Sequence, residues 1–201
     1  MIKIYHFQKI FRLIIDNFDT NVFIHELWND KTDGSSKNYD VCLLKSQEDI
    51  FQAGQANGCG NGCVNAACMP KSEGQHGDAC WVAGWGHTEY GGNNARILQE
   101  IGVNIFSNEY CHAKSIYGSF IQPNELCAGL PDKDGEKYIG GDIDSCFGDS
   151  GGPLICEEDG KAVVTGVVSW GEKCAVKGFP GIYGRVYHHS SWIETTIADN
   201  S

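Results

Sequence analysis

Asp144 to Pro153 read DSCFGDSGGP, a glycine-rich run built around Ser150. A serine hydroxyl is a poor nucleophile, and its attack on a carbonyl requires exposure on a tight turn, a base for its proton, and donors for the oxyanion. Glycines on both sides of Ser150 provide the turn, and Gly148 lets its own N–H and that of Ser150 point into one concavity. A lone match of this type is often a plain strand connection, but the flanking cysteine and proline favour a nucleophilic serine.

The composition is that of an ordinary globular domain, since 41% of the 201 residues are hydrophobic and 20% are charged. A chain of this length can bury a sizeable core as one domain or as two small subdomains. The 26 acidic and 15 basic residues give a net charge of −11. This charge argues against nucleic acid or a membrane surface as a partner, because phosphate binding needs clustered Lys and Arg. Cationic substrates remain compatible with it.

The ten cysteines indicate disulfides. Their number is even and no two stand in the Cys-x-x-Cys spacing of common zinc sites, so neither a metal nor another cofactor is expected. Disulfides persist in oxidising compartments, which predicts a secreted or luminal protein. Met1 to Asp16, however, contains neither an apolar run of signal-peptide length nor a small-residue cleavage site. We therefore expect that the sequence begins downstream of the protein's own start.

Short β-rich runs separated by Gly, Asn and Asp dominate the chain and predict an all-β barrel or sandwich. The predicted strands are Val41–Leu44, Trp81–Trp85, Ile97–Ile105, Pro153–Cys156, Val163–Trp170 and Gly181–Val186. Only the end of the chain predicts a helix, which Ser190 or Ser191 would cap. Its packed face would consist of Trp192, Ile193, Thr196 and Ile197. Gly54–Cys68 is too poor in large apolar residues to form core and is interpreted as the connection between two halves.

Several motifs, in the same order, resemble the trypsin and chymotrypsin family of serine endopeptidases. GDSGGP, in Gly148–Pro153, is similar to the nucleophile motif of that family. The other matching segments are Cys80–Gly86, Cys127–Gly129 (a loop before the pocket), Ser169–Gly171 (a substrate-binding strand), Pro180–Tyr183 and Trp192–Ile193. The resemblance implies two antiparallel β-barrels and a short C-terminal helix. Residues 1–70 would hold a truncated N-terminal barrel and the connection, and residues 71–201 the C-terminal barrel with the nucleophile loop and the pocket.

The resemblance also implies the catalytic residues. Ser150 would be the acylated nucleophile, and the backbone N–H groups of Gly148 and Ser150 would form the oxyanion hole. Asp40, in the segment NYDVCLLK, resembles the triad aspartate, which lies just before an apolar strand and orients the histidine. An aspartate before a strand is otherwise usually a turn residue, so this assignment depends on the family.

A specificity pocket is implied by the same resemblance. Asp144, which precedes Ser150 by six residues, stands where trypsin-like members place the carboxylate at the pocket floor. A buried acid is costly unless a cation pairs with it, so such a pocket selects Lys and Arg side chains of polypeptide substrates. Gly171 and Gly181 match the two wall positions, and glycine at both leaves room for a long side chain.

Three disulfides are implied as well, joining Cys80 to Cys156, Cys111 to Cys127, and Cys146 to Cys174. The last pair would fasten the nucleophile loop to the pocket wall. Cys68 resembles the cysteine that tethers an upstream propeptide in multidomain members, so its partner would lie outside this chain. Cys42 is expected to be a buried thiol in a strand, and Cys59 and Cys63 have no family counterpart.

The histidine of the family's triad is missing from its expected place. It belongs to a Thr-Ala-Ala-His-Cys type segment more than about forty residues before the aspartate, which would fall ahead of Met1. Each of the seven histidines has another explanation. His6 lies in a segment with no family match, His25 is expected to be exposed, and the five on the C-terminal side are expected to be surface residues. No Ile-Val-Gly-Gly activation sequence precedes Asp40, so Asp149 would lack the amine that pairs with it, in a zymogen-like loop.

Three interpretations remain open at this point. The first is a trypsin-like endopeptidase with an incomplete N-terminus, which the intact Ser150 and pocket residues favour, although the chain as written would be inactive. The second is a noncatalytic serine protease homologue that acts as a secreted binding or regulatory module. The third is a structural, disulfide-stabilised β domain, which leaves the pocket residues unexplained. An Ala-His-Cys segment upstream of Met1 would support the first, and its absence the second.

Overall fold

The computed structural model describes residues 2–5, 20–28, 38–46, 65–131 and 138–201. In the N-terminal part, three antiparallel strands form a small sheet with β3 in the centre. They are β1 (Ile2–Tyr5), β2 (Thr20–Ile24) and β3 (Cys42–Ser46).

The larger unit is a closed antiparallel barrel with the strand order β4, β5, β6, β9, β8, β7. Its strands are β4 (Ala79–Gly84), β5 (Gln99–Phe106), β6 (Glu125–Gly129), β7 (Pro153–Glu158), β8 (Lys161–Trp170) and β9 (Gly181–Arg185). The barrel interior is filled by apolar side chains, among them Leu126, Leu154 and Tyr183, each 0% exposed. Closure pairs the outer strands with each other, so the barrel presents no open sheet edge.

Two α-helices accompany the strands in the described part of the chain. Helix α1 (Asn108–Lys114) begins after Ser107, whose Oγ accepts a hydrogen bond from the backbone N–H of Tyr110 at 3.2 Å. Helix α2 (Ser190–Asp199) is the predicted C-terminal helix. Its N-cap position is His189 and not a serine, so the predicted cap is wrong. Helix α1 was not predicted, because seven residues give too short a periodic pattern to recognise.

The six predicted strands are confirmed, with ends that differ by at most two residues. The segment Cys127–Gly129, predicted as a loop, lies instead in β6, whose five residues are all buried and so lack the alternation that marks a strand. One closed barrel is confirmed. The second barrel and the division at residue 70 stay predictions, and the interpreted connection, Gly54–Cys68, lies mostly outside the described residues.

The N-terminal sheet packs against the barrel through one apolar cluster. Leu43 of β3 is 0% exposed and packs with Val167, Val186 and Ile193 from β8, the turn after β9, and α2. Nζ of Lys45 in β3 also donates a hydrogen bond to the backbone carbonyl of Asn200, just after α2. These contacts fix the start of β3 beside the end of β8.

We expect limited proteolysis of the oxidised chain to cut first on the N-terminal side of Cys80. The closed barrel begins at Ala79 and all three disulfides of the described residues lie from Cys80 onward, and cross-links restrict the opening that a protease needs. Mass spectrometry of the earliest fragments would locate the cuts. First cuts between Cys80 and Cys156 would contradict this order of stability, and reduction of the disulfides beforehand is the matched control.

Candidate active site

One cavity of about 140 Å³ lies between the glycine-rich run Asp144–Pro153, the end of β8 and the start of β9. Its lining includes seven residues that the sequence analysis singled out: Asp144, Gly148, Ser150, Ser169, Trp170, Gly171 and Gly181. These residues come from three segments of the chain, and the barrel brings the segments together because β8 pairs with both β7 and β9. The proposed nucleophile and the proposed specificity residues therefore face one space.

Asp40 is joined to this cavity through a buried hydrogen bond. Its Oδ2 accepts from Oγ of Ser169 at 2.6 Å, and the two side chains are 2% and 5% exposed. Ser169 lies at a β-bulge in β8, where the pairing with β9 shifts between Val168 and Trp170. A bulge turns side chains out of their regular alternation, which allows Ser169 to reach Asp40.

Asp144 lies in the cavity as a largely desolvated carboxylate. Burial raises its pKa to about 7, an effect that hydrogen bonds from Ser145 and Ala175 partly offset. The backbone N–H of Ser145 donates to Oδ1 at 2.8 Å. A Cβ at Gly181 would lie only 2.6 Å from the same oxygen, so a side chain there would displace the carboxylate. A cation that entered the cavity would favour the charged form of Asp144 and lower its pKa.

The carboxylate of Asp149 connects the run Asp144–Pro153 to the loop that follows β4. It accepts hydrogen bonds from the backbone N–H groups of Gly86 at 2.8 Å and Cys146 at 2.9 Å. These contacts do not test whether Asp149 lacks the amine that the resemblance pairs with it, so that expectation stays a prediction. A Cβ at Gly86 would lie 2.5 Å from the Asp149 carboxylate carbon, which explains a glycine at this position. Gly148, at φ +98°, adopts a conformation that favours glycine.

Three disulfides are present among the described residues, in the same pairs that the resemblance implied: Cys80–Cys156, Cys111–Cys127 and Cys146–Cys174. Cys146 and Cys174 both line the cavity, so their bond holds the run Asp144–Pro153 to the opposite wall. Cys68 is exposed and forms no disulfide within the described part of the chain. Cys42 is buried in β3, and Cys59 and Cys63 lie outside the described residues.

The histidines correct one expectation. His25 and His189, predicted to be exposed, are only 6% and 2% exposed. Their rings lie 5.4 Å apart between ring centroids, and His25 also stacks at 4.8 Å on Trp192. These contacts were not visible in the sequence, because the segments before β3 and after β9 meet only in the fold. Elsewhere, His76 packs on Tyr110, a ring nitrogen of His112 lies 3.1 Å from the Ile121 carbonyl, and His87 packs near Phe147.

The buried histidine pair predicts a loss of stability in acid. Burial lowers the pKa of His189 to about 3 and also lowers that of His25, so the unfolded chain binds more protons below pH 6.5. The free energy of unfolding should therefore fall as the pH drops from about 6.5, by about 1.4 kcal/mol per pH unit for each proton.

Urea unfolding of the chain and of its His189→Phe variant between pH 4 and pH 7, reported as unfolding free energy, would measure the effect. The variant should show a shallower slope. Replacement of the exposed His112 by Phe is the matched control and should leave the slope unchanged. Equal slopes for the chain and the His189 variant would contradict the prediction.

Comparison with known proteins adds two findings. Residues 15–193 match the sequence model of the family described as Trypsin. The chain is also similar to human (Homo sapiens) transmembrane protease serine 5, with 37% identity over 166 residues. This alignment covers 81% of the chain but 33% of the relative, so the chain spans about a third of the length of the relative it matches. No helix among the described residues is both long enough and apolar enough to cross a membrane.

Proposed function

This chain belongs to the trypsin family of serine proteases, and we propose that it is the catalytic domain of an endopeptidase that cuts polypeptides after Lys or Arg. The observation that carries this proposal is that Ser150 and Asp144 line one and the same cavity. Burial raises the free energy of the charged Asp144 carboxylate, and Ser150 lies on a glycine turn that lines the same cavity. A substrate cation would therefore both fill the cavity and pair with the acid.

In the proposed reaction, Ser150 attacks the carbonyl that follows the cationic side chain and forms an acyl-enzyme, which water then hydrolyses. The backbone N–H groups of Gly148 and Ser150 would bind the oxyanion, and Asp40 would orient the base. We place the base outside the seven histidines of this chain. In support, His25, His188 and His189 lie in one aromatic cluster. The rings of His76, His87 and His112 contact other groups, and His6 lies outside the described residues.

We further propose that the domain works outside the cytosol. Its three disulfides among the described residues support an oxidising compartment, and its human relative is named as a transmembrane protease. The exposed Cys68 is proposed to form a disulfide with a cysteine of an upstream propeptide. The alternative function, a noncatalytic binding module of the same family, would keep the cation pocket and lack turnover.

The pocket can be tested on the chain as it is, because binding a cation needs no base. Benzamidinium is a planar aromatic cation similar to an arginine side chain, and benzamide is its neutral analogue. Calorimetric titration should show binding of benzamidinium and not of benzamide. Equal binding of the two compounds, or binding of neither, would contradict a cation-selective pocket at Asp144.

A further inference from the structure

Glu125 is a buried carboxylate with no role in the reaction proposed above. It begins β6 and is 1% exposed. A buried carboxylate is costly unless its oxygens accept hydrogen bonds, and here both do. Oε1 accepts from Nε1 of the Trp170 indole at 2.8 Å, and Oε2 accepts from the backbone N–H of Gln122 at 2.8 Å. Glu125 therefore connects a turn on the outside of the barrel to an aromatic side chain of the cavity.

Trp170 lies at an irregular position of β8, directly after a shift in the pairing with β9. The β8–β9 pairing shifts between Val168 and Trp170, so Ser169 is the extra residue of a bulge. On one side of the bulge Ser169 donates to Asp40, and on the other side Trp170 donates to Glu125. The buried carboxylates of Asp40 and Glu125 thus hold two consecutive residues at the end of β8.

The indole held in this way forms part of the cavity wall. Trp170 lines the cavity together with Asp144 and Ser150, and its ring contacts Tyr117 edge to face at a centroid distance of 4.9 Å. Packing against Tyr117 restricts one side of the ring, while the hydrogen bond to Glu125 fixes the direction of its N–H edge. Loss of the carboxylate would leave that part-buried N–H without its acceptor, which favours another orientation of the ring.

We propose that Glu125 is a positioning residue, which holds the Trp170 indole as the wall for the substrate residues that precede the Lys or Arg. The proposal rests on the proposed function, since it needs an extended peptide bound with its cation at Asp144. A residue that acts only through Trp170 affects ligands that reach the indole. It leaves a small cation at the cavity floor unaffected.

The test compares two ligands on the 201-residue chain by calorimetry: benzamidinium, which reaches only the floor, and acetyl-Ala-Phe-Arg-amide, which extends past Trp170. Glu125→Leu should lower the affinity for the peptide by about tenfold, which is the effect of one lost hydrogen bond to a charged group. It should change the affinity for benzamidinium by less than about twofold. Glu125→Gln retains the shape and one acceptor, so it should fold even if the Leu variant does not, and should weaken the peptide by about threefold.

Two controls separate positioning from a general loss of stability. In a Trp170→Phe background, which has no indole N–H, either Glu125 substitution should have no further effect on the peptide. Asn108→Ala removes a part-buried acceptor of Arg185 at 2.8 Å and a donor to the backbone carbonyl of Glu125, but no contact of the Glu125 carboxylate. It should leave peptide affinity unchanged.

Three results would overturn the positioning role. They are a loss of peptide affinity on Glu125 substitution that persists in the Trp170→Phe background, the same loss in the Asn108→Ala variant, and an equal loss of benzamidinium affinity. Unchanged peptide affinity in both Glu125 variants would overturn it too. Absence of benzamidinium binding by the unsubstituted chain is a separate result, which would remove the proposed function and this inference with it.

Discussion

The 201-residue chain is expected to hydrolyse a peptidyl-arginine ester no faster than its own Ser150→Ala variant. Ser150 needs a group that takes its proton, and we place that group outside the seven histidines of this chain. Loss of triad members lowers kcat by up to about 10⁶-fold, so only background hydrolysis should remain. The measurement is the initial rate of ester hydrolysis by the two refolded proteins under identical conditions.

A chimera supplies the positive control. The chain extended at its N-terminus by a family segment that carries the Ala-His-Cys motif should regain turnover, and Ser150→Ala in this longer protein should abolish it. Turnover by the unextended chain that Ser150→Ala removes would mean that one of the seven histidines serves as the base. The missing-base hypothesis would then be wrong, whereas the serine nucleophile would be supported.

Asp144→Asn is expected to lower the affinity for benzamidinium by about 10²- to 10⁴-fold, because one partner of a buried ion pair is worth about 3–5 kcal/mol when the other remains. In the extended, active protein, the same change should reduce cleavage after Arg far more than cleavage after Phe. Asp142→Asn is the matched control, since Asp142 is an exposed acid two residues away. A larger effect from Asp142 than from Asp144 would contradict the pocket assignment.

Asp144→Asn, which is expected to lower ligand affinity, should raise the stability of the folded chain. Burial raises the pKa of Asp144 from 3.8 to about 7, so between these values the folded chain binds more protons than the unfolded one. Stability contributed by the protonated acid is complete below pH 3.8 and is lost as the pH rises through about 7. The Asn variant avoids this loss and should melt a few degrees higher at pH 8 and not at pH 4. Equal melting temperatures at pH 8 would contradict the desolvation of Asp144.

The sequence alone was sufficient for the local features of the site. The run around Ser150 is contiguous, and its glycines specify a turn that other residues adopt poorly, as the φ of +98° at Gly148 illustrates. Five of the six barrel strands were recognisable, because their apolar residues and the turn residues between them are local signals. The sixth, β6, was missed because burial on both faces removes the alternation, as its five buried residues show.

The environment of each side chain was decided only by the tertiary structure. Asp40 and Ser169 lie 129 residues apart in the chain, yet their hydrogen bond depends on the docking of Leu43 against the barrel. Glu125 gives no sign in the sequence of its bond to Trp170, and His25 gives none of its burial. Desolvation, and with it the pKa of an acid or a histidine, depends on atoms from distant segments, which a local pattern does not contain.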